Sequence, residues 1–188
     1  MIAKLREAVP DDSEAVAALH VACWGETYRG LLPDKMIESM NVPDRTVQWQ
    51  RALERRADVK VILAEDDAGL IGFASGGPAR GGDLGATREI YAIYVLRRAQ
   101  RAGVGRALLH RLASHLALQF VAAPDIGLWV LRDNAPARAF YERMGGKQGG
   151  ERIERREGGE LPEVAYRWSD LSELMGPSPL DAPPPRFA

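Results

Sequence analysis

The chain has 188 residues, of which 46% are hydrophobic and 27% charged, and its formal net charge is −1. This length and composition predict one globular domain with its own core, and the charge gives no electrostatic support for binding nucleic acid or a membrane. The only cysteine, Cys23, excludes an intramolecular disulfide and fits a reducing compartment.

The N-terminal half is predicted to combine helices with successive strands. In chain order we predict a strand over 2–8, a helix opened by an Asp11–Glu14 capping pair, an irregular aromatic segment over 24–33, a helix over 44–56 and strands over 59–64 and 70–75. The charged N-terminus lacks the pattern of a signal peptide, and no apolar run reaches the roughly 20 residues that span a bilayer. A cytoplasmic location is therefore expected.

The C-terminal half alternates strands and helices more regularly. We predict a glycine-rich loop over 76–85, a strand over 89–95, a helix after Gly105, a strand over 126–131, a helix over 135–144 and strands over 147–153 and 163–168. Three successive strands cannot come from parallel winding alone, so the sheet should be mixed, with a parallel crossover around the helix after Gly105. The proline-rich tail, 176–188, is expected to be disordered.

The segment 100–105, Gln-Arg-Ala-Gly-Val-Gly, lies between a predicted strand and an apolar-periodic helix. Gly103 and Gly105 have no Cβ, so unpaired N–H groups at the start of the helix can approach a phosphate closely. Four arginines crowd this loop and are candidates to neutralise further phosphates: Arg97, Arg98, Arg101 and Arg106. The alternative is a strand-to-helix turn that uses glycine for geometry alone.

Two other nucleotide-binding patterns do not fit this loop. A dinucleotide fingerprint needs a small third residue where the chain has Leu108, and it also needs a doubly wound element order. A Walker-type loop needs Gly-Lys-Ser/Thr, which is missing here.

A second segment, 134–145, follows the strand at 126–131. Asn134 suits a helix N-cap, and Ala137, Phe140 and Tyr141 occupy neighbouring helical positions. Alone, this pattern is typical of a capped amphipathic helix. Beside the phosphate loop, it indicates a site for a long phosphorylated thiol cofactor and an acyl transfer.

The two segments together resemble the acetyl-coenzyme A signature of the GNAT superfamily of N-acyltransferases. Gln100-x-x-Gly103-x-Gly105 is similar to the family's pyrophosphate motif, and Asn134-x-x-Ala137-x-x-Phe140-Tyr141-Glu142-x-x-Gly145 is similar to its second motif. Departures occur at Arg97, where the family often has proline, at Arg101, where it usually has glycine, and at Gly146, where it usually has an aromatic residue. Backbone phosphate binding is unaffected, because both loop glycines are present.

The resemblance implies a single-domain α/β fold over 1–175, with a mixed sheet of about seven strands flanked by helices. It implies acetyl transfer from acetyl-CoA to a primary amine by direct attack in a ternary complex, without a metal; the alternative is a non-catalytic acyl-CoA-binding module. The acceptor would be a small molecule or a peptide, and homodimers are common in the family. The implied cofactor-binding residues are Ile93, Tyr94, Val95, Gln100, Arg101, Ala102, Gly103, Val104, Gly105, Arg106, Asn134 and Tyr141.

The resemblance also suggests catalytic roles that the residue types support. Glu89 is the candidate base for an amine whose ordinary pKa is about 10.4, although it also fits an exposed carboxylate at the end of a strand. A backbone N–H near Val95 would polarise the thioester carbonyl. Tyr141 would protonate the leaving thiolate, or else serve only in packing. Trp24, Glu26 and Tyr28 either border the acceptor site or bury an irregular segment.

Overall fold

The computed structural model describes residues 3–55, 58–118, 125–156, 158–171 and 174. Its strands form one seven-stranded sheet in the order β1-β2-β3-β4-β5-β7-β6. The strands are β1 Lys4–Glu7, β2 Lys60–Asp66, β3 Gly69–Pro78, β4 Arg88–Val95, β5 Ile126–Leu131, β6 Lys147–Arg156 and β7 Gly159–Trp168. The helices are α1 Ser13–Tyr28, α2 Asp34–Glu38, α3 Val42–Glu54, α4 Val104–Leu118 and α5 Ala135–Arg143.

The sheet is mixed, as the sequence predicts. Every neighbouring pair of strands is antiparallel except β4 and β5, which are parallel and are connected through α4. The parallel pairing covers only two positions, Arg88 opposite Ile126 and Glu89 opposite Gly127. Beyond them the two strands separate, and this separation opens the centre of the sheet.

Helix α4 packs on one face of the sheet through Leu108, Leu112 and Leu116, all of which are fully buried. A glycine in β3 permits this close approach. A Cβ on Gly76 would lie 2.8 Å from the backbone oxygen of Glu89 and 3.1 Å from Leu116 Cδ1, closer than a side chain can sit. The crossover helix is thus held closely against β3, the antiparallel neighbour of the strand β4 that borders the opening.

The opposite face of the sheet is covered by α1 and α3. Val16 and Cys23 of α1 pack with Trp49 and Leu53 of α3 and with Phe73 of β3 in one buried cluster. Helix α3 begins where Asn41 Oδ1 accepts the Asp44 N–H at 3.0 Å, two residues earlier than the sequence pattern predicts.

Several local predictions were wrong. The segment from Trp24 is helical up to Tyr28, and the two rings, one helical turn apart, pack in a tilted arrangement with their centroids 4.4 Å apart. Glycines 76 and 77 belong to β3 rather than to a loop, because both pair with β4. The carboxylate that caps the first turn is that of Asp12, which accepts the Val9 N–H at 2.7 Å, and not that of Asp11.

The short helix α2 has no counterpart among the predicted elements. The tail at 176–188 lies outside the described residues. Within the described ranges, no helix is long and apolar enough to cross a membrane, and no group of three or more His, Cys, Asp or Glu side chains could hold a metal ion.

Candidate active site

A cavity of about 730 Å³ occupies the opening between β4 and β5. Its walls come from the C-terminal ends of these two strands, the loop before α4, the end of α1 and the start of α5. This is the edge at which parallel strands end and helices begin, where ligands commonly bind in α/β proteins.

The loop before α4 offers a row of unpaired backbone donors. Arg101 and Gly103 both have positive φ, 63° and 82°. Among the described residues, the N–H groups of 101–106 have no hydrogen-bond acceptor, whereas the next amide, that of Ala107, donates to the Gly103 carbonyl at 3.0 Å. These donors, together with the positive end of the α4 dipole, fit a pyrophosphate group.

The arginines around this loop have different partners. The Arg97 N–H donates to Glu26 Oε2 at 2.7 Å, and its guanidinium donates to the Glu26 carbonyl at 2.8 Å. Arg98 forms an ion pair with Asp66 at 2.7 Å and does not line the cavity. Arg101 and Arg106 line the cavity, and both are exposed. Of the four arginines around the loop, Arg97, Arg101 and Arg106 can therefore offer positive charge to phosphates, and Arg98 cannot.

Tyr141 lies on α5, whose first turn is capped by Asn134: its Oδ1 accepts the Ala137 N–H at 3.2 Å. The Tyr141 side chain lines the cavity and is 8% exposed. Its ring packs near those of Tyr166 and Trp168, with centroids 5.9 and 6.2 Å away. Burial, with a smaller contribution from Tyr28, raises the pKa of the Tyr141 phenol, so it carries its proton at neutral pH.

The far wall of the cavity is aromatic. Trp24 and Tyr28 project from the last turns of α1, and the Tyr94 hydroxyl donates to the Tyr28 hydroxyl at 3.2 Å. Burial raises the pKa of both phenols, that of Tyr94 well above its usual range. Glu26 also lines the cavity, but its carboxylate is engaged with the Arg97 N–H.

The structure does not bring Glu89 to this cavity. Its side chain is 3% exposed, so the reading of Glu89 as an exposed carboxylate at the end of a strand was wrong. One carboxylate oxygen accepts the Arg80 N–H at 2.9 Å, and the other accepts the Arg80 guanidinium. Glu89 therefore does not line the cavity in which a substrate would bind, and its catalytic role stays a prediction.

Glu163, on β7 opposite Leu131, lines the cavity although sequence reasoning did not select it. Its side chain is 12% exposed and accepts a hydrogen bond from Arg152 Nε at 2.8 Å. Burial raises the pKa of the Glu163 carboxyl despite this ion pair. No local motif marks Glu163: its place follows from the register of β7 against β5.

Most of the implied cofactor and acceptor residues meet at the cavity. They are Trp24, Glu26, Tyr28, Ile93, Tyr94, Val95, Gln100, Arg101, Gly103, Gly105, Arg106, Asn134 and Tyr141. Ala102 and Val104 do not line it, and the Val104 side chain is buried in the core instead, which leaves only their backbone amides to face a ligand.

Comparison with known proteins agrees with this architecture. Residues 14–146 match the acetyltransferase (GNAT) family. The chain is 36% identical over 171 residues, 90% of its length, to an uncharacterized N-acetyltransferase, YuaI, of Bacillus subtilis (strain 168), and covers 95% of that protein. The chain therefore belongs to the GNAT family and is an acyltransferase.

Solved structures share the fold at lower identity. The PaiA N-acetyltransferase of Thermoplasma acidophilum, in complex with coenzyme A, matches with a TM-score of 0.67 and 20% identity over 87% of this chain and 98% of that one. The yncA acetyltransferase of Salmonella typhimurium, with its cofactor acetyl-CoA, matches with a TM-score of 0.66 and 19% identity over 89% and 94%.

Replacing Gly105 by glutamate should weaken coenzyme A binding by roughly tenfold or more, because the new carboxylate would stand where pyrophosphate is expected. The fold should survive, since a Cβ at Gly105 meets the Phe140 ring at 3.7 Å, an ordinary contact. Calorimetric titration with coenzyme A measures the effect. Gly82→Glu, where the added Cβ meets open space outside the cavity, is the matched control. Equal affinities in both variants would show that the loop does not hold the phosphates.

Proposed function

We propose that this protein transfers an acetyl group from acetyl-CoA to a primary amine by direct attack within a ternary complex. The observation that carries the proposal is the one cavity that joins a row of unpaired amides at α4 to an aromatic wall and the partly buried carboxylate of Glu163. A phosphorylated donor fits one end of this cavity, and an amine fits the other.

The thioester carbonyl needs a hydrogen-bond donor as charge develops on its oxygen. Beyond Glu89, the edge of β4 that faces β5 has no strand partner in the described residues. The Val95 carbonyl accepts a hydrogen bond from Gln100 Nε2 at 3.0 Å, which leaves the N–H groups of this edge as the donors open to a ligand. An N–H group near Val95 on this edge is positioned on a rigid strand and pays no cost of reorganisation. The separation of the two strands thus creates the donor as well as the cavity.

Tyr141 serves as the proton donor to the leaving sulfur. Its phenol remains protonated because burial raises its pKa, and no described residue accepts a hydrogen bond from its hydroxyl. A thiol has a pKa of about 8.5 in water, and a buried thiolate is disfavoured for the same reason as a buried phenolate. Burial therefore raises the pKa of the Tyr141 phenol and that of the leaving thiol in the same direction, and proton donation from the phenol to the thiolate remains feasible.

Glu163 serves as the proton acceptor for the amine, directly or through one water molecule. A protonated amine has no free electron pair, so it must lose a proton before attack. A carboxyl whose pKa is raised by burial is a stronger base than an exposed one. Glu89 is not available to accept a proton from the amine, because both of its oxygens accept hydrogen bonds from Arg80.

The proposed activity is tested by following thiol release from acetyl-CoA with a panel of primary amines. We expect release that depends on both the amine and the protein, with a mass increase of one acetyl group on the acceptor. Binding of acetyl-CoA with no release for any amine would instead favour a non-catalytic acyl-CoA-binding module. A cytoplasmic location and a homodimer stay predictions.

Replacing Tyr141 by phenylalanine should lower kcat roughly 10²-fold, because the ring and its packing remain while the proton donor is lost. The affinity for acetyl-CoA should change little. Tyr166→Phe is the matched control, because that hydroxyl binds Glu142 and the side chain lies outside the cavity. Near-normal turnover in Tyr141→Phe would mean that water protonates the thiolate.

Replacing Glu163 by glutamine should lower kcat by about two orders of magnitude and abolish the acid limb of the pH profile. In the parent enzyme kcat should fall as pH drops below the pKa of this carboxyl, which lies above the ordinary value of about 4.3 because burial disfavours its charge. Glu89→Gln is the comparison variant and should retain the limb. The opposite pattern would assign the base to Glu89.

A further inference from the structure

A second cavity, of about 280 Å³, adjoins the first on the side of α1 and α3. The two share five lining residues: Trp24, Tyr91, Ala92, Tyr94 and Arg156. The second cavity therefore continues the aromatic end of the first, away from the loop that fits phosphates. A substrate whose amine lies in the first cavity can place its remaining groups in the second.

Hydrogen-bond donors and positive charge dominate this second cavity. Three arginines line it, Arg45, Arg80 and Arg156, and its described lining contains no aspartate or glutamate. Two of these arginines have carboxylate partners: Arg80 pairs with Glu89, and Arg156 pairs with Glu154 at 2.9 Å. Both side chains remain partly exposed, so they can bind a ligand as well.

Arg45 differs from the other two arginines. Among the described residues it forms no ion pair, and its guanidinium donates only to Gln48 Oε1, at 2.7 Å. Burial, and to a smaller extent the positive charge of Arg156, lower the pKa of the Arg45 guanidinium. Arg45 is thus a half-buried cation that lies near another cation and has no carboxylate partner among the described residues. An anion that enters the second cavity would stabilise its charge.

Two uncharged side chains add further donors. Trp24 is 7% exposed and lines both cavities, yet its buried Nε1 has no hydrogen-bond partner in the described part of the chain. His20 Nδ1 accepts the Trp49 indole N–H at 3.3 Å, which leaves the His20 proton on Nε2. Burial, together with Arg45 and Arg156, lowers the pKa of His20 to about 3, so this ring is a neutral donor.

We propose that the second cavity binds the anionic group of the acceptor, so that the preferred substrate is a small amine that also carries a carboxylate or a phosphate. This inference rests on the proposed acetyl transfer. Arg45, Arg80 and Arg156 bind the anion, and the indole N–H of Trp24 supplies an uncharged donor. The amine then lies toward Glu163 and Tyr141, so the two charges of the acceptor meet opposite charges at opposite ends.

Matched pairs of acceptors test the anionic group separately from the amine. L-Leucine is compared with L-leucinamide and isoamylamine, L-phenylalanine with phenethylamine, and O-phosphoethanolamine with ethanolamine. We expect kcat/KM to be at least tenfold higher for the anionic member of a pair. A preference within the amino acid pairs identifies carboxylate as the ligand, and a preference within the last pair identifies phosphate. Equal or faster turnover of the neutral members would overturn the proposal.

Substitution of Arg45 tests the residue that carries the proposal. Arg45→Gln should raise KM for the preferred anionic acceptor at least tenfold and leave KM for acetyl-CoA unchanged, while Arg45→Lys should recover part of the loss. The control is Arg51→Gln, an exposed arginine of α3 outside both cavities. Melting temperatures confirm that the variants fold. An unchanged KM in Arg45→Gln contradicts the assignment.

A binding measurement makes the test independent of turnover. Trp24 and Trp49 both line the second cavity, so tryptophan fluorescence can follow titration of the coenzyme A-loaded protein with L-leucine, L-phenylalanine and O-phosphoethanolamine. We expect saturable binding that is lost in Arg45→Gln and absent with the neutral analogues. Acetylation of neutral amines without this binding would reject the inference but retain the acetyltransferase. Anion binding without acetylation of any amine would retain the cavity assignment and reject the proposed reaction.

Discussion

The separation of β4 from β5 is the feature on which the rest of the site depends. The two parallel strands are hydrogen-bonded only at Arg88–Ile126 and Glu89–Gly127, and each is held on its other edge by an antiparallel neighbour. Because those outer pairings are extensive, the central strands can separate without the sheet coming apart. The separation exposes backbone groups that a sheet normally pairs, and a ligand can use them.

The position of α4 couples this opening to the loop that fits phosphates. Gly76 lets the helix pack against the strands, and the buried side chains of Leu108, Leu112 and Leu116 hold it there. Gly103 and Gly105, at the start of the helix, then line the cavity, and their amides have no acceptor among the described residues. The same core contacts that stabilise the fold therefore orient the donors, which keeps the site rigid before any ligand binds.

Charge is distributed unevenly around the combined cavities. Arginines of the α4 loop line the first cavity and a second group of arginines lines the second, and the partly buried carboxylate of Glu163 lines the first. Three tyrosines, Tyr28, Tyr94 and Tyr141, separate these regions, and burial raises the pKa of each phenol. They supply uncharged donors where a charged side chain would have to be desolvated.

The features that belong to short sequence motifs could be predicted from the sequence, because they depend on residues close together in the chain. The glycine loop at 100–105, the Asn134 cap and the placement of Tyr141 on its helix belong to this group. The mixed character of the sheet could also be predicted, because three successive strands exclude parallel winding alone. The extent of α1 was missed, because the aromatic pattern over 24–33 predicts an irregular segment whereas Trp24 and Tyr28 pack against each other one turn apart on a helix. Local propensity is weaker than such packing.

Tertiary structure alone decided the roles of residues that are distant in sequence. Glu89 faces Arg80 because β3 and β4 pair in a register that brings the end of β3 beside it. Glu163 reaches the cavity because its strand lies opposite Leu131, and Arg45 approaches Arg156 because α3 packs over the sheet. The sequence by itself determined the loop, the capped helix and the succession of strands and helices along the chain. Register and helix packing, which depend on contacts across the whole chain, determined which charges face the substrate.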